Sequence, residues 1–316
     1  MYQTPTHRKI LYVSDLRFGG TATYRLEALR RIDQDVIPFD PAPWLSQSRL
    51  LSKLRYHYPV GPLVAGANKS LLNALKDHKP DVIWFDMPLI FTPRTMQEIK
   101  ATGAKTVCYN QDNPFGPRND GCWMQFYRIY KLFDLHCLFR TVDIPGYTEW
   151  QLPCIKIQLS YDPAIHFPPP QGWNDSNRTR GLSFIGTPYD DRHKFLRTLA
   201  ETYDLPLVIS GDRWDKVYPP EVLTKYVVSG GLKETAYREG MWQSKINLAF
   251  VTQSNEEDVA HKAFEITACG AFLLACAHPA IKPSSRKTRK PFSSPPSKSA
   301  LRKLATISTT APNGKR

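Results

Sequence analysis

Short apolar runs alternate with polar, helix-periodic stretches along most of the chain up to Cys276. The segments Ile10-Leu-Tyr-Val-Ser14, Asp35-Val-Ile-Pro-Phe39, Asp81-Val-Ile-Trp-Phe85 and Lys105-Thr-Val-Cys-Tyr109 are compact, β-branched or aromatic runs bounded by polar loops. That pattern predicts buried strands. Between them the spacing predicts a helix over 23–32, two helical stretches in 45–78 divided by Pro59-Val-Gly-Pro62, and a helix over 93–101. A helix over 121–132 and strands near 134–139 and 154–159 continue the series. Strands that alternate with helices in this way imply a parallel sheet covered on both faces.

The series breaks at 161–177, where Pro168-Pro-Pro170 is followed by Gly172-Trp-Asn-Asp-Ser-Asn177. Such a run of prolines and turn formers reads as a linker. A second series follows: a strand over 181–185, a helix over 191–201, a strand over 205–210 and a strand-like Val227. A helix over 233–242, a strand over 246–250, a helix over 261–268 stopped by Gly270 and a strand over 271–275 complete it. The expected fold is α/β, with two Rossmann-like domains at 1–170 and 171–277, the second incomplete.

Charge separates the remainder. Of the formal net charge of +13, ten lysines and arginines lie in 278–316, which has no aspartate or glutamate, leaving +3 for residues 1–277. Those last residues also hold six prolines and seven serines, so a disordered basic tail is expected. A polyanion-binding tail is one reading. The preferred reading is a reading-frame change or truncation near Ala277, because the α/β series stops where more strands and helices are due. Nucleic acid is not the expected partner of the folded body. No apolar stretch is long enough to cross a membrane, and the polar start lacks the order of a secretory signal. A cytoplasmic protein is expected. The six cysteines (108, 122, 137, 154, 269, 276) form no Cys-x-x-Cys pair, so they read as buried thiols and not as a metal site.

Residues Glu257-Asp-Val-Ala-His-Lys-Ala-Phe-Glu-Ile-Thr-Ala-Cys-Gly-Ala-Phe-Leu-Leu274 resemble the donor-domain signature of GT-B glycosyltransferases. They are most similar to the group named after the spore-maturation protein CgeB. Phe264-Glu265, Ala268-Cys269-Gly270 and Phe272-Leu273-Leu274 match that group's run, and Lys262 stands where it usually has arginine. Phe18-Gly-Gly-Thr21 leading into Arg25-Leu-Glu-Ala-Leu29, Tyr161-Asp-Pro163 with His166, and Phe184-Ile-Gly-Thr187 with Asp191-Arg192 add to the resemblance. It implies two domains facing a cleft, a nucleotide-sugar donor held by the second, a glycan or protein hydroxyl as acceptor, and no metal ion or other cofactor. Transfer of a sugar in surface polysaccharide or glycoprotein assembly is the implied function. A non-catalytic relative that keeps the fold is the alternative.

The resemblance supplies candidate donor residues. Glu257 and Glu265 have the eight-residue spacing of a feature in many retaining GT-B enzymes, and Glu265 would accept hydrogen bonds from ribose hydroxyls. A surface helix glutamate is the plainer reading. Gly186 and Thr187 follow a strand and precede a helix, where backbone can approach a diphosphate. Arg192 and Lys262 would balance the charge of the leaving diphosphate, or Arg192 would pair with Asp190 or Asp191. Gly270 belongs to the same signature. In the first unit, Gly19 and Gly20 lie at the sheet's carboxyl edge, as a ligand-facing loop or a plain turn. Asp112, in Asn110-Gln-Asp-Asn-Pro114, is the candidate acceptor base, with a turn aspartate as the plainer reading. His136 reads as a core histidine, and His166 with Asp162 as structural. No Gly-x-Gly-x-x-Gly follows a strand and no Gly-Lys-Ser/Thr is present, which disfavours a dinucleotide oxidoreductase and a P-loop hydrolase.

Overall fold

A computed structural model describes residues 7–16, 20–32, 34–45, 48–116 and 121–276. Gly19, Ala277 and the expected basic tail lie outside the described residues. The first half holds β1 (Lys9–Val13), α1 (Thr21–Arg31), β2 (Asp35–Phe39), α2 (Arg49–His57), α3 (Pro62–His78) and β3 (Val82–Asp86). It continues with α4 (Pro93–Ala101), β4 (Lys105–Tyr109), α5 (Phe126–Ile129), β5 (Leu135–Leu138), α6 (Ile144–Glu149) and β6 (Cys154–Lys156). These strands make one parallel sheet in the order β2-β1-β3-β4-β5-β6.

Both faces of that sheet are buried, as the apolar runs require. Leu11 and Val13 of β1 pack with Leu71 of α3 and Met96 and Ile99 of α4. Ile10 and Tyr12 point the other way, onto Leu26 of α1 and Val36. A strand buried on both faces cannot show polar alternation, which is why these runs read as continuous.

The second half holds β7 (Arg180–Ile185), α7 (Arg192–Glu201), β8 (Leu207–Ser210), α8 (Pro220–Tyr226) and β9 (Val227–Ser229). It ends with α9 (Glu234–Trp242), β10 (Ser244–Phe250), α10 (His261–Ala268) and β11 (Leu273–Cys276). Its sheet is parallel, in the order β11-β10-β7-β8-β9. Leu182 and Phe184 pack on Leu196 and Trp214, and Ile185 packs with Met241, Trp242 and Ile266 on the opposite face.

Three departures from the sequence expectation have local causes. The helix expected over 121–132 is only the short α5 and a following 3-10 turn. Gly121 takes a φ of 80°, and a Cβ there would meet the His57 carbonyl oxygen at 2.6 Å, so packing on the end of α2 overrides the helical periodicity. Helices α6 and α8 were not expected; each carries a proline in its first turn, where it has no hydrogen bond to lose. His136 is a core residue, as read: it is buried, with Nε2 2.8 Å from the Tyr130 carbonyl oxygen. Cys108, Cys122, Cys137 and Cys269 are buried and unbridged. Among the described residues no helix is long and apolar enough to cross a membrane.

Candidate functional site

From β7 the chain moves to β8 and β9 on one side of the second sheet and returns to β10 on the other. The loops leaving β7 and β10 therefore flank a crevice at the carboxyl edge, where open α/β sheets bind ligands. The β7 loop is backbone-tight. The Gly186 N–H donates to the Ser210 carbonyl (2.8 Å), and the Gly186 carbonyl accepts from Trp214 Nε1 (2.9 Å). A Cβ on Gly211 would lie 2.0 Å from that carbonyl oxygen, so the two loops cross only because residue 211 has none. The Gly186 N–H is thus already used, and a phosphate at this edge would meet the residues after it. Thr187 is half-buried, its carbonyl accepting from the Tyr189 N–H.

Arg192 opens α7. Its side chain is only 9% exposed, and its guanidinium lies 5.5–5.8 Å from the ring centres of Phe184, Tyr189 and Phe250. Asp191, one of the two expected partners, pairs instead with Lys194 at 2.9 Å. Asp190, the other expected partner, makes a loose ion pair with Nη2 at 3.7 Å, beyond hydrogen-bond distance. Nε and Nη2 are both buried without a hydrogen-bond partner. Burial lowers the Arg192 pKa, opposed by the charges of Asp190 and Glu257. Unpaired guanidinium N–H groups away from water are costly unless an anion completes them.

The β10 loop reaches across to the first sheet. Asn255 Nδ2 donates to Asp112 Oδ1 at 2.8 Å and approaches Glu257 Oε1 at 3.4 Å, which places these two carboxylates around one amide. Burial raises the Glu257 pKa, opposed by the Thr252 N–H and Asn255 hydrogen bonds, while nearby Asp112 adds to the rise. Asn113 Nδ2 donates to Glu256 Oε2 (2.9 Å), and the Thr141 N–H and hydroxyl donate to Asp258 Oδ2 (2.8 and 2.6 Å). Beneath them Arg140, buried with Asp143, holds the 111–112 loop: Nη1 donates to the Gln111 carbonyl (2.7 Å) and Nη2 to the Asp112 carbonyl (3.0 Å).

Glu265 projects from α10 into the seam where α9, the 157–179 connection and α1 meet. It is buried, and Oε2 accepts from the Tyr237 hydroxyl at 2.5 Å. Lys262 Nζ donates to the same hydroxyl at 2.6 Å. His166 Nε2 stands 3.7 Å from Glu265 Oε1, with Tyr24 of α1 edge-on to the imidazole. The Lys262 pKa is lowered to about 8, mainly by burial; Glu265 opposes the shift and Arg192 adds to it. Lys262 and Arg192 therefore feel one another across the same edge.

Arg192, Lys262, Glu257 and Asp112 are brought into one electrostatic neighbourhood, and Glu265 joins it through Tyr237. Gly270 is placed differently: its N–H donates to the Thr267 carbonyl at the end of α10, and it faces Pro168. Gly20 immediately precedes α1 with a φ of 81° and nothing within 4 Å of a would-be Cβ, so its backbone angle, not close approach of another group, calls for glycine.

Sequence reasoning missed Tyr237, Asn255 and Arg140. Tyr237 and Asn255 carry no local signal. Arg140 carried one: a cation directly after the apolar run 135–139, with an acid three residues on. Asp86, at the end of β3, was likewise signalled only by its place. It is buried and takes Arg25 Nε (2.8 Å), Arg25 Nη2 (2.6 Å) and the Tyr12 hydroxyl (2.6 Å) on Oδ2.

Residues 192–286 match the model of a family described as glycosyl transferase-like. No curated protein matches the chain in sequence. Among solved structures, a putative UDP-N-acetylglucosamine 2-epimerase from Listeria monocytogenes is similar with a TM-score of 0.51 and 8% identity, covering 86% of this chain and 79% of that one. A trehalose-6-phosphate synthase structure has a TM-score of 0.50 and 12% identity, covering 82% and 81%. S. aureus MnaA in its UDP co-structure has a TM-score of 0.50 and 11% identity, covering 85% and 79%. At these identities the likeness is one of fold. The two parallel sheets with their facing carboxyl edges have the GT-B architecture, and the matched segment carries Arg192, Glu257, Lys262 and Glu265 together.

Proposed function

We propose that this chain transfers a sugar from a nucleoside diphosphate donor to a hydroxyl acceptor. The observation that carries the reading is the Arg192 guanidinium, buried at the carboxyl edge between β7 and β10, with Nε and Nη2 lacking hydrogen bonds and only a loose ion pair to Asp190. A diphosphate oxygen is the ligand that such a group suits best. Lys262 stands by as a second cation. When the bond from the anomeric carbon to the diphosphate breaks, the electron pair leaves on oxygen, and these cations stabilise the new charge. The acceptor hydroxyl forms the new bond to that carbon and gives its proton to Asp112, which the Arg140 clamp and Asn255 hold at the seam. Glu265, oriented by Tyr237, is the candidate for the donor ribose, and residues 1–170 and 171–277 are assigned as acceptor and donor halves. The match over 192–286 and the fold of the UDP-bound neighbour support this reading. The CgeB-like signature favours acceptors in surface polysaccharide or glycoprotein assembly.

The test is an assay of nucleoside diphosphate release from a panel of UDP-, GDP- and dTDP-sugars offered with glycan and peptide hydroxyls. Release that depends on acceptor and falls at least a hundredfold in Asp112→Asn is expected. Binding without release in every pairing would instead indicate a non-catalytic relative, and conversion of the free sugar nucleotide without an acceptor would indicate epimerisation.

A further inference from the structure

Residues 41–76 run through the 3-10 turn Ala42–Trp44, α2 and most of α3. They carry Arg49, Lys53, Arg55, Lys69 and Lys76 and no aspartate or glutamate. This charge of +5 exceeds the +3 of residues 1–277 as a whole, so the remainder of that stretch is net −2. One segment of the folded body is therefore basic in an otherwise slightly acidic chain.

The same segment leaves large apolar side chains in solvent. Trp44, Leu51, Tyr58 and Leu63 are each between 37% and 48% exposed. The helix α2 is strongly amphipathic. Leu51, Leu54 and the capping Tyr58 fall at i, i+3 and i+7, one side of the helix, and Lys53 falls on the opposite side. Such a helix ordinarily turns its apolar side into the core, yet none of the described side chains of α2, residues 51–57, is buried. Its end is nonetheless fixed: Gln125 Nε2 donates to the Pro59 carbonyl at 3.0 Å, and Gly121 packs on the His57 carbonyl. Trp44 is braced on α3, where a Cβ on Gly66 would lie 2.7 Å from its ring, and Leu63 stands one turn before Gly66. Leu45, beside Trp44, lines one cavity with Arg55 of α2, which brings the two pieces of the patch together.

We infer that this segment docks on an anionic lipid bilayer, with Trp44, Leu51, Tyr58 and Leu63 entering the headgroup boundary and Lys53 and Lys69 meeting lipid phosphates. Charge and apolarity together select that partner. Nucleic acid would use the cations but gives exposed leucines nothing to enter. A second copy of this chain would set the same five cations against each other. An anionic bilayer takes both kinds of group, and tryptophan and tyrosine suit its boundary. The inference stands independently of the proposed sugar transfer, which it would place at a membrane surface.

The test is flotation of the full chain with vesicles of phosphatidylcholine alone and with vesicles holding equal parts of phosphatidylglycerol. The lipids are brominated at mid-chain, so that quenching of tryptophan fluorescence reports entry of a ring. The ten cations of 278–316 can hold a vesicle by charge but bring no tryptophan, so flotation and quenching read different events. The wild type should float with the anionic vesicles and be quenched, and Trp44→Phe should float without the quenching. Leu51→Gln with Leu63→Gln should abolish the quenching and lower vesicle affinity at least tenfold. Lys53→Gln with Lys69→Gln should lower affinity roughly fivefold per cation. Binding of UDP should be unchanged in both pairs. All four side chains are exposed, so the variants should melt with the wild type, and either pair gives the readout should the other fail to fold. Flotation without quenching would assign the binding to the last residues and overturn the inference. Equal binding to the neutral vesicles, or flotation and quenching unaltered in both pairs, would also overturn it. So would binding of an oligonucleotide but no vesicle, or self-association that the leucine pair abolishes.

Discussion

Asp86, at the first sheet's carboxyl edge, meets Arg25 at 2.6 Å, and Arg140 meets Asp143 at 2.7 Å. At the same edge of the second sheet, Arg192 stands 3.7 Å from Asp190 with two buried nitrogens that make no hydrogen bond, and Lys262 donates to a neutral tyrosine. Both edges bury charge, yet only the first pairs it tightly. A closed ion pair fixes a loop; an open cation suits an anion that arrives and leaves. The first edge is accordingly read as scaffold, the second as the place where negative charge is handled.

Breaking the closed edge should have the largest effect. Arg140→Met breaks the buried ion pair with Asp143 and releases the 111–112 loop, at an expected cost of about 3–5 kcal/mol. Thermal or denaturant unfolding measures it. Arg192→Met should do the reverse. It removes a buried cation whose ion pair with Asp190 is loose and whose Nε and Nη2 make no hydrogen bond, so folding stability should hold or rise, while nucleoside diphosphate affinity falls by roughly 1.5–3 kcal/mol, tenfold or more.

Tyr237→Phe tests the polar cluster between α9 and α10. It leaves the buried Glu265 carboxylate without its donor, an expected loss of about 1–3 kcal/mol of stability, and Lys262 without its acceptor. If Tyr237 merely packs, the phenylalanine variant will unfold with the wild type.

Titration sharpens the contrast at finer scale. His136, in the first half, has its pKa lowered to about 4 by burial. Between about pH 6.5, its ordinary value, and pH 4, the unfolded chain takes up a proton that the folded chain does not, so stability falls as pH drops. Lys262 titrates at the opposite end. A bound diphosphate favours its charged form, so affinity should decline as pH rises past about 8, by at most about tenfold per pH unit. Lys262→Met should flatten that limb.

The fold was readable to a large extent because doubly buried strands write themselves as apolar runs. Asp35–Phe39, Pro93–Ala101 and Lys105–Tyr109 stand where the pattern predicts. What periodicity could not show was tertiary override, as at Gly121, and proline used as a helix start, as at Pro145 and Pro220. The site was legible by residue and not by partner. Arg192 was singled out with Asp190 and Asp191 as competing partners, but no sequence feature says that Lys194 occupies Asp191 and that three aromatic rings enclose the guanidinium. Tyr237 lies 25 residues before Lys262 and 28 before Glu265, a separation that only the packing of α9 against α10 closes.

The most direct measurement is a calorimetric titration of UDP, GDP and dTDP into the wild-type chain and into Arg192→Met at pH 7. The wild type should bind at least one of these nucleotides, and the variant, equally folded, should bind it at least tenfold more weakly. Equal affinity in the two proteins, or no binding of any nucleoside diphosphate by the wild type, would contradict the assignment of this edge to a sugar-nucleotide donor.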